Sequence, residues 1–363
     1  MIDRVQLREI DLTLIALLIL NSLVGAALIY SASRFSPGNF FVRQLVWLGI
    51  SLIVLFLSLS IDYKLWMGIS PTLYAVFLAA LVALLLFGRG ISGARSWFRL
   101  AFFGGQPSEP MKIVVLLLVA LIFSDFRRPK ITADLAALGG GAVAVPMLLI
   151  AAQPDLGTAM SFLPIPLAAF FFAGLSRRTV AVILIAAVVL GFVGWNLVLK
   201  DYQKKRILTL LNPNEDPRGA GYHVRQSRIA IGSGGLTGKG YLKGTQSQLR
   251  FLPARHTDFI FSVLGEEFGF LGVFVVLLLY FLFLARIFLS VPKSGDRAGM
   301  YVIFMAASLL TFPFLVNTMM IIGLFPVTGV PIPLLSYGGS SLLTTYFAVG
   351  LVLNVKMRRF VNV

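Results

Sequence analysis

Asp258 is the residue of this chain best placed by type and spacing to do chemistry. It is followed by seven uncharged residues, FIFSVLG, and then by Glu266 and Glu267. On a helix, Asp258, Ser262 and Glu266 would share one face at four-residue spacing. A carboxylate entering an apolar helix is costly unless that face meets water, a partner or a substrate. The competing role is a helix cap, in which the carboxylate accepts from free N–H groups of the first turn. The surrounding stretch, Gly232 to Gly269, adds glycine-rich turns, His256 and the cations Lys239, Lys243, Arg250 and Arg255, with Arg228 just upstream. It reads as the reactive part of the molecule.

Three other stretches carry candidates. QPSEPMK (106–112) sets Glu109 and Lys112 three residues apart at the mouth of an apolar run. They can form an intrahelical ion pair, or Lys112 can meet a phosphate while Glu109 orients it or holds an ion. QPDLGT (153–158) puts Asp155 in a tight hairpin, where capping competes with a direct chemical role. PIPLLSYGGSS (331–341) breaks and restarts an apolar path, and irregular backbone at membrane depth survives only when buried or lining a wet cavity. Close helix packing by its small residues is the other account.

Two glycine patterns imitate nucleotide sites. GRGISG (88–93) follows an apolar run rather than a strand and reads as a turn, and GSGGLTGKG fails the P-loop spacing around Lys239. Backbone nests made by such glycines could still hold a phosphate.

The elements that position these residues are membrane helices. Hydrophobic residues make up 58% of the 363, charged residues only 13%, and the mean hydropathy is +0.90, which places the chain in the polytopic membrane class as one helical domain over 1–363. With no cysteine, disulfides, thiolate metal sites and cysteine nucleophiles are excluded; the two histidines, His223 and His256, are too few for a zinc site unless carboxylates complete it. The net charge of +16 reflects the membrane side on which Lys and Arg are held rather than nucleic acid.

A spanning helix needs roughly 20 apolar residues. Uncharged runs fall at 12–33, 44–61, 65–88, 135–154, 156–176, 179–199 and 268–285, and a tract from 298 to 355 is broken by Pro326, Pro331 and Pro333 into about 298–323 and 334–355. One more span must start near Pro110, so ten are expected, with a large loop, about 200–267, between the seventh and eighth. Loops on the side of the termini hold fourteen cations against six in the short loops opposite. By the positive-inside rule both termini are expected in the cytoplasm and the long loop outside. That loop carries eleven cations and six acids, which suits an anionic lipid-linked ligand or simple attraction to lipid headgroups. Within it, ILTLLNP (207–213) and YHVRQSRIAIG (222–232) read as short interfacial helices. The first span reads as a signal anchor.

AIGSGGLTGKGYLKGTQSQLRFLPARHTDFIFSVLGEEFG, NTMMIIGLFPVTGVPIPLLSYGGSS, QPDLGT, QPSEPMK and GARSWF together resemble the shape, elongation, division and sporulation (SEDS) family over nearly the whole chain. The run Arg255-His256-Thr257-Asp258 and the short termini are more similar to its elongation branch than to its division branch. The resemblance implies a peptidoglycan glycosyltransferase that polymerises lipid II outside the cytoplasmic membrane, with Asp258 as general base. It implies substrate-binding roles among Trp97, Glu109, Lys112, Asp155, Lys239, Arg255, His256, Thr257, Ser336, Gly338 and Gly339. It leaves room for a divalent cation, Mg or Mn, on Glu109 or Asp258, and implies a class B penicillin-binding protein as partner through the eighth and ninth spans and the external loop. Ten spans and a broken helix also suit a lipid II flippase, and a scaffold that only activates the partner is a third reading.

Overall fold

The computed structural model describes residues 9–88, 98–100, 103–124, 133–174, 201–211, 219–249, 251–252 and 254–359, with the single positions 181, 185 and 196. The expected seventh span, 179–199, otherwise lies outside these residues, as do Trp97 and nearly all of GRGISG.

The chain is a helical bundle. In order it forms α1 Leu12–Ser33, α2 Phe40–Ser60, α3 Tyr63–Phe87, a small hairpin of β1 Phe98–Leu100 and β2 Phe103–Gly105, α4 Ser108–Ser124, α5 Ala133–Ala152, α6 Leu156–Met160 and α7 Pro164–Ala173. Then follow α8 Asp201–Leu211, α9 Ala220–Gly234, α10 Thr245–Gln248, α11 Ile260–Phe288, α12 Arg297–Ile321 and α13 Gly339–Met357. Among the described residues eight segments are long and apolar enough to cross a membrane, with α6 and α7 together making one. The span expected near Pro110 is α4, only 17 residues long but buried on most sides.

Aspartates start four of these helices. The side chains of Asp11, Asp62, Asp155 and Asp296 accept from the backbone N–H of Leu14, Lys64, Thr158 and Gly299, filling donors that a helix start leaves free. Within the spans, Ser22, Ser308, Thr311 and Thr318 donate to the carbonyls four residues back, the usual way a hydroxyl is satisfied away from water.

The core is α12 and α13, whose apolar stretches are 67% and 78% buried, whereas α2 and α3 are 17% buried and expose the rest. An apolar outer face is what lipid requires. α13 meets α2 closely enough that a Cβ on Gly350 would lie 1.7 Å from Ser58 Oγ. Asn354 of α13 closes the turn between α2 and α3: Nδ2 donates to the carbonyls of Ser58, Leu59 and Ile61, and Oδ1 accepts from Tyr63 N–H.

α11 departs from expectation. Helix begins at Ile260 rather than 268 and is kinked at Gly269, where φ is 63° and ψ −162°. The glycine-rich loop mends the kink. Lys239 and Gly240 N–H donate to Glu266 and Glu267 O, while Phe270 and Leu271 N–H donate to Gly235 and Leu236 O, all at 2.9–3.0 Å. A Cβ on Gly238 would lie 2.2 Å from Glu267 O, and one on Gly269 would lie 2.4 Å from Gly238 N, so these positions are glycine for close backbone approach. The N–H groups of Lys239 and Gly240, two that a phosphate nest would use, are therefore committed to the kink. The 222–232 stretch is helical, as α9, but it packs along α11 with Ala230 and Ser227 buried rather than lying free in an interface.

Candidate functional site

Asp258 ends a tight turn that precedes α11. The N–H groups of Thr257, Asp258 and Phe259 all donate to Ala254 O, and Ala254 adopts φ 46°, a conformation costly for a residue with a Cβ. The helix cap is Phe259, without a side-chain capping bond, so Asp258 does not cap. It also does not join Glu266 on one helix face, because it lies before the helix. Ser262 instead meets Ser227, and Glu266 accepts from Lys239 Nζ at 2.8 Å and from the N–H groups of Gln246 and Ser247.

The Asp258 side chain is partly exposed, and its Oδ2 lies 3.6 Å from where a Cβ on Gly329 would be. Burial pushes its carboxyl up to about 6, against the opposing pull of a hydrogen bond from Thr257 and the charge of Arg206. A perturbed carboxylate that supports no helix is a candidate for chemistry.

The broken segment between α12 and α13 holds this turn in place. Asn317, fully buried, donates through Nδ2 to Asp258 O at 2.9 Å and to Val330 O at 2.7 Å. Ser336 Oγ donates to Thr257 O and accepts from Ile332 N–H, while Tyr337 N–H donates to His256 O. The His256 ring packs against Phe40 and Tyr337; burial, then the charge of Arg255, hold it below the ordinary histidine value. Leu334 takes φ 70°, so strained backbone marks both halves of this junction.

Behind the junction is a cleft with about 430 Å³ of empty space, lined by Glu109 and Lys112 of α4, Thr158 and Ser161, Pro313 of α12, Val330, Pro331 and Pro333, and Ser341, Thr344 and Thr345. The segment 331–341 thus lines a cavity. Lys112 Nζ donates to Glu109 Oε1 at 2.8 Å, and both residues are buried. Asp155 caps α6 through Thr158 and accepts from Gln106, which fixes the cleft wall beside Thr158.

The structure does not gather every candidate here. Lys239 binds Glu266 and Thr245. Arg255 is buried and donates to Ala32 O, Ser247 O and Ser36 Oγ, bracing the loop on α1. Gly338 N–H donates to Gln44 Oε1, and a Cβ on Gly339 would strike the Trp47 ring, so these two glycines pack the start of α13 on α2. Among the described residues no three His, Asp or Glu side chains gather as a metal site. Sequence reasoning missed Asn317, Thr344 and Thr345; the signal for Asn317 was a lone amide in an apolar span.

The fold and site define a polytopic membrane protein with a polar cleft between its helices and a perturbed aspartate on a turn tied to the cleft's Val330 wall through Asn317. The chain belongs to the FtsW/RodA/SpoVE family, described as cell cycle protein, which matches residues 8–360. Peptidoglycan glycosyltransferase MrdB of Escherichia coli (strain K12) is 40% identical over 357 residues, covering 97% of this chain and 94% of the relative. Peptidoglycan glycosyltransferase RodA of Treponema pallidum (strain Nichols) is 35% identical over 426 residues, covering 96% and 97%. Among solved structures, a chain from a peptidoglycan synthase complex that coordinates polymerization and crosslinking superimposes with a TM-score of 0.82 at 33% identity, covering 97% of this chain and 98% of that one. Thermus thermophilus RodA gives 0.72 at 31% identity, with the same coverage.

Proposed function

We propose that this chain is a peptidoglycan glycosyltransferase of the RodA type, polymerising lipid II into glycan strands for cell elongation. The observation that carries the reading is Asp258: a carboxylate raised to about 6, released from capping, on a turn whose backbone is fixed by Asn317 and Ser336.

In the reaction, a sugar 4-hydroxyl oxygen of the acceptor attacks the anomeric carbon of the donor. The bond from that carbon to the diphosphate oxygen breaks, and the hydroxyl proton passes to Asp258. General-base catalysis of this kind contributes about 10²- to 10⁴-fold. Because diphosphate leaves as a stable anion, the second carboxyl group that a glycosidase uses to protonate an alkoxide is not required. The Glu109–Lys112 pair and the hydroxyls of Thr158, Thr344 and Thr345 give the cleft donors and acceptors suited to sugar. A divalent cation, if the reaction uses one, enters as a companion of the donor's diphosphate, in keeping with the few carboxylates at hand.

Both termini face the cytoplasm in this reading and the cleft opens outside. A class B penicillin-binding protein docks on α11 and α12 and the external loop; the exposed Phe270, Phe274, Val275, Leu278 and Phe281 of α11 offer it an apolar face. The test is polymerisation of purified lipid II by wild type and Asp258→Asn, each with a partner whose transpeptidase site is inactive. Polymer from wild type, lost at least 100-fold in the variant while the complex still copurifies, is expected. Equal polymer from both would remove Asp258 from catalysis and favour lipid flipping or a scaffold role.

A further inference from the structure

The end of α12 is closed by a different helix. Its own chain makes a left-handed turn there: Ile322, Gly323 and Leu324 N–H donate to Thr318, Met320 and Met319 O, with Gly323 at φ 75°. The carbonyls of Ile321, Ile322 and Gly323 are left over, and a helix end needs partners for such groups. Two adjacent side chains of α9 supply them. Ser227 Oγ donates to Ile321 O at 2.9 Å, and Arg228 donates through Nε to Ile322 O at 3.0 Å and through Nη2 to Gly323 O at 3.3 Å. A guanidinium charge at this carboxyl end also suits the helix dipole. A Cβ on Gly323 would strike the guanidinium, so glycine serves both the turn and the cap.

Ser227 also reaches a third helix. It is fully buried, and its Oγ lies 2.8 Å from that of Ser262, equally buried, in the first turn of α11. Because the one Ser227 proton goes to Ile321 O, Ser262 is the donor of this bond. α9 is fixed closely on α11, since a Cβ on Gly234 would strike Gly265 O. Ser262 follows Asp258 by four residues, and Ile321 follows Asn317 by four. Two parallel rungs therefore join the start of α11 to the end of α12: Asn317 Nδ2 to Asp258 O, and Ser262 through Ser227 to Ile321 O. Beyond Gly323 the chain returns to Gly329, beside Asp258 Oδ2, and to Val330, whose carbonyl Asn317 also holds.

We propose that Ser227 and Arg228 are positioning residues for glycosyl transfer: by capping α12 and pinning it to α11 through Ser262, they fix Asp258 against Asn317. This rests on Asp258 acting as the general base. Both residues act through Asp258 and not on the substrate.

The test is polymerisation of purified lipid II by the full chain with a partner whose transpeptidase site is inactive, with kcat and KM taken per folded molecule. Ser227→Ala and Arg228→Gln should each lower kcat about fivefold with KM changed less than about twofold. Residues that act as a unit are non-additive, so Ser227→Ala combined with Asn317→Ala should lose little more than Asn317→Ala alone. A looser turn admits water to the carboxylate, so the pH midpoint of turnover in Ser227→Ala should fall from about 6 toward the ordinary carboxylate range. A role in folding alone does not move that midpoint. Arg228 is exposed, so Arg228→Gln keeps the test open where Ser227→Ala does not fold. Unchanged kcat in Arg228→Gln and in folded Ser227→Ala, or a double loss equal to the product of the single ones, would overturn the positioning role while a loss in Asp258→Asn leaves the enzyme reading standing. Full polymer from Asp258→Asn would remove the general base, and the positioning role with it.

Discussion

Asp11 and Asp258 each lie just before a membrane helix, at opposite ends of the bundle, and their surroundings treat them in opposite ways. Asp11 caps α1 through Leu14 N–H and accepts from Arg286 Nε at 2.8 Å and Lys356 Nζ at 2.5 Å. Burial alone would raise its carboxyl, but the bonds from Arg286, Lys356 and Leu14 outweigh that and hold it below the usual carboxylate value. Asp258 caps nothing, gains only Thr257 and the distant charge of Arg206, and is raised to about 6. A carboxylate saturated by cations is committed to architecture; one left short of partners beside a cleft is available to take a proton.

The largest effect should come from breaking the saturated end. Asp11→Asn strands Lys356, 8% exposed, without its counter-charge. Removing one partner of a buried pair costs about 3 kcal/mol, the lower end of the range because Arg286 is partly exposed. Thermal unfolding in detergent should shift down by several degrees, while polymer made per folded molecule stays the same. Unchanged unfolding, or lost turnover in a fully folded protein, would erase the contrast between the two ends.

A smaller effect sharpens the other end. Asn317→Ala removes the two bonds that tie Asp258 O to Val330 O but touches neither the carboxylate nor the cleft-lining side chains. On the proposal that Asp258 is the general base, loosening it should lower kcat about tenfold with KM little changed. If KM rises instead while kcat holds, Asn317 shapes substrate binding and not the position of Asp258.

Apolar runs and proline breaks made most of the helices legible in the sequence, because length and charge-free composition are what a bilayer demands. The site was legible only in part. Asp258, Glu109 and Lys112 stood out as charges in apolar context; Glu109 and Lys112 line one cleft, and Asp258 lies on a turn that Asn317 ties to the Val330 wall of that cleft. The glycine loop at 235–240 misled, since close approach to a kinked helix and a phosphate nest ask for the same residue; only the backbone partners at Glu266 and Glu267 distinguish them. For Arg255 and Lys239, charge in a loop was visible in sequence, but the partners that hold it, Ala32 O and Ser247 O for Arg255 and the Glu266 carboxylate for Lys239, were not. Asn317 went unnoticed because its two acceptors are brought to it only by the broken segment after α12.

The smallest effect has a sign that only the raised carboxyl produces. An unfolded Asp ionises near about 3.9, whereas folded Asp258 does so at about 6. Between those values the unfolded chain has lost the proton and the folded chain keeps it, so stability falls as pH rises through that window, and the penalty persists above it. Asp258→Asn, which cannot ionise, should escape the penalty and unfold about a degree or two above wild type at pH 8, with the gap closing toward pH 4. Asp11 slopes the other way: it stabilises when ionised, and its contribution is lost only as pH falls through a value lower than its unfolded one, outside the window in which Asp258 titrates. With Asp258 as the proposed general base, which acts only when ionised, wild-type turnover should rise with pH through about 6 while stability declines, so activity and stability move in opposite directions over the same interval. Unfolding temperatures of wild type and Asp258→Asn that run parallel from pH 4 to pH 8 would mean that Asp258 is an ordinary solvated carboxylate, and the difference between the two ends of the bundle would lose its chemical meaning.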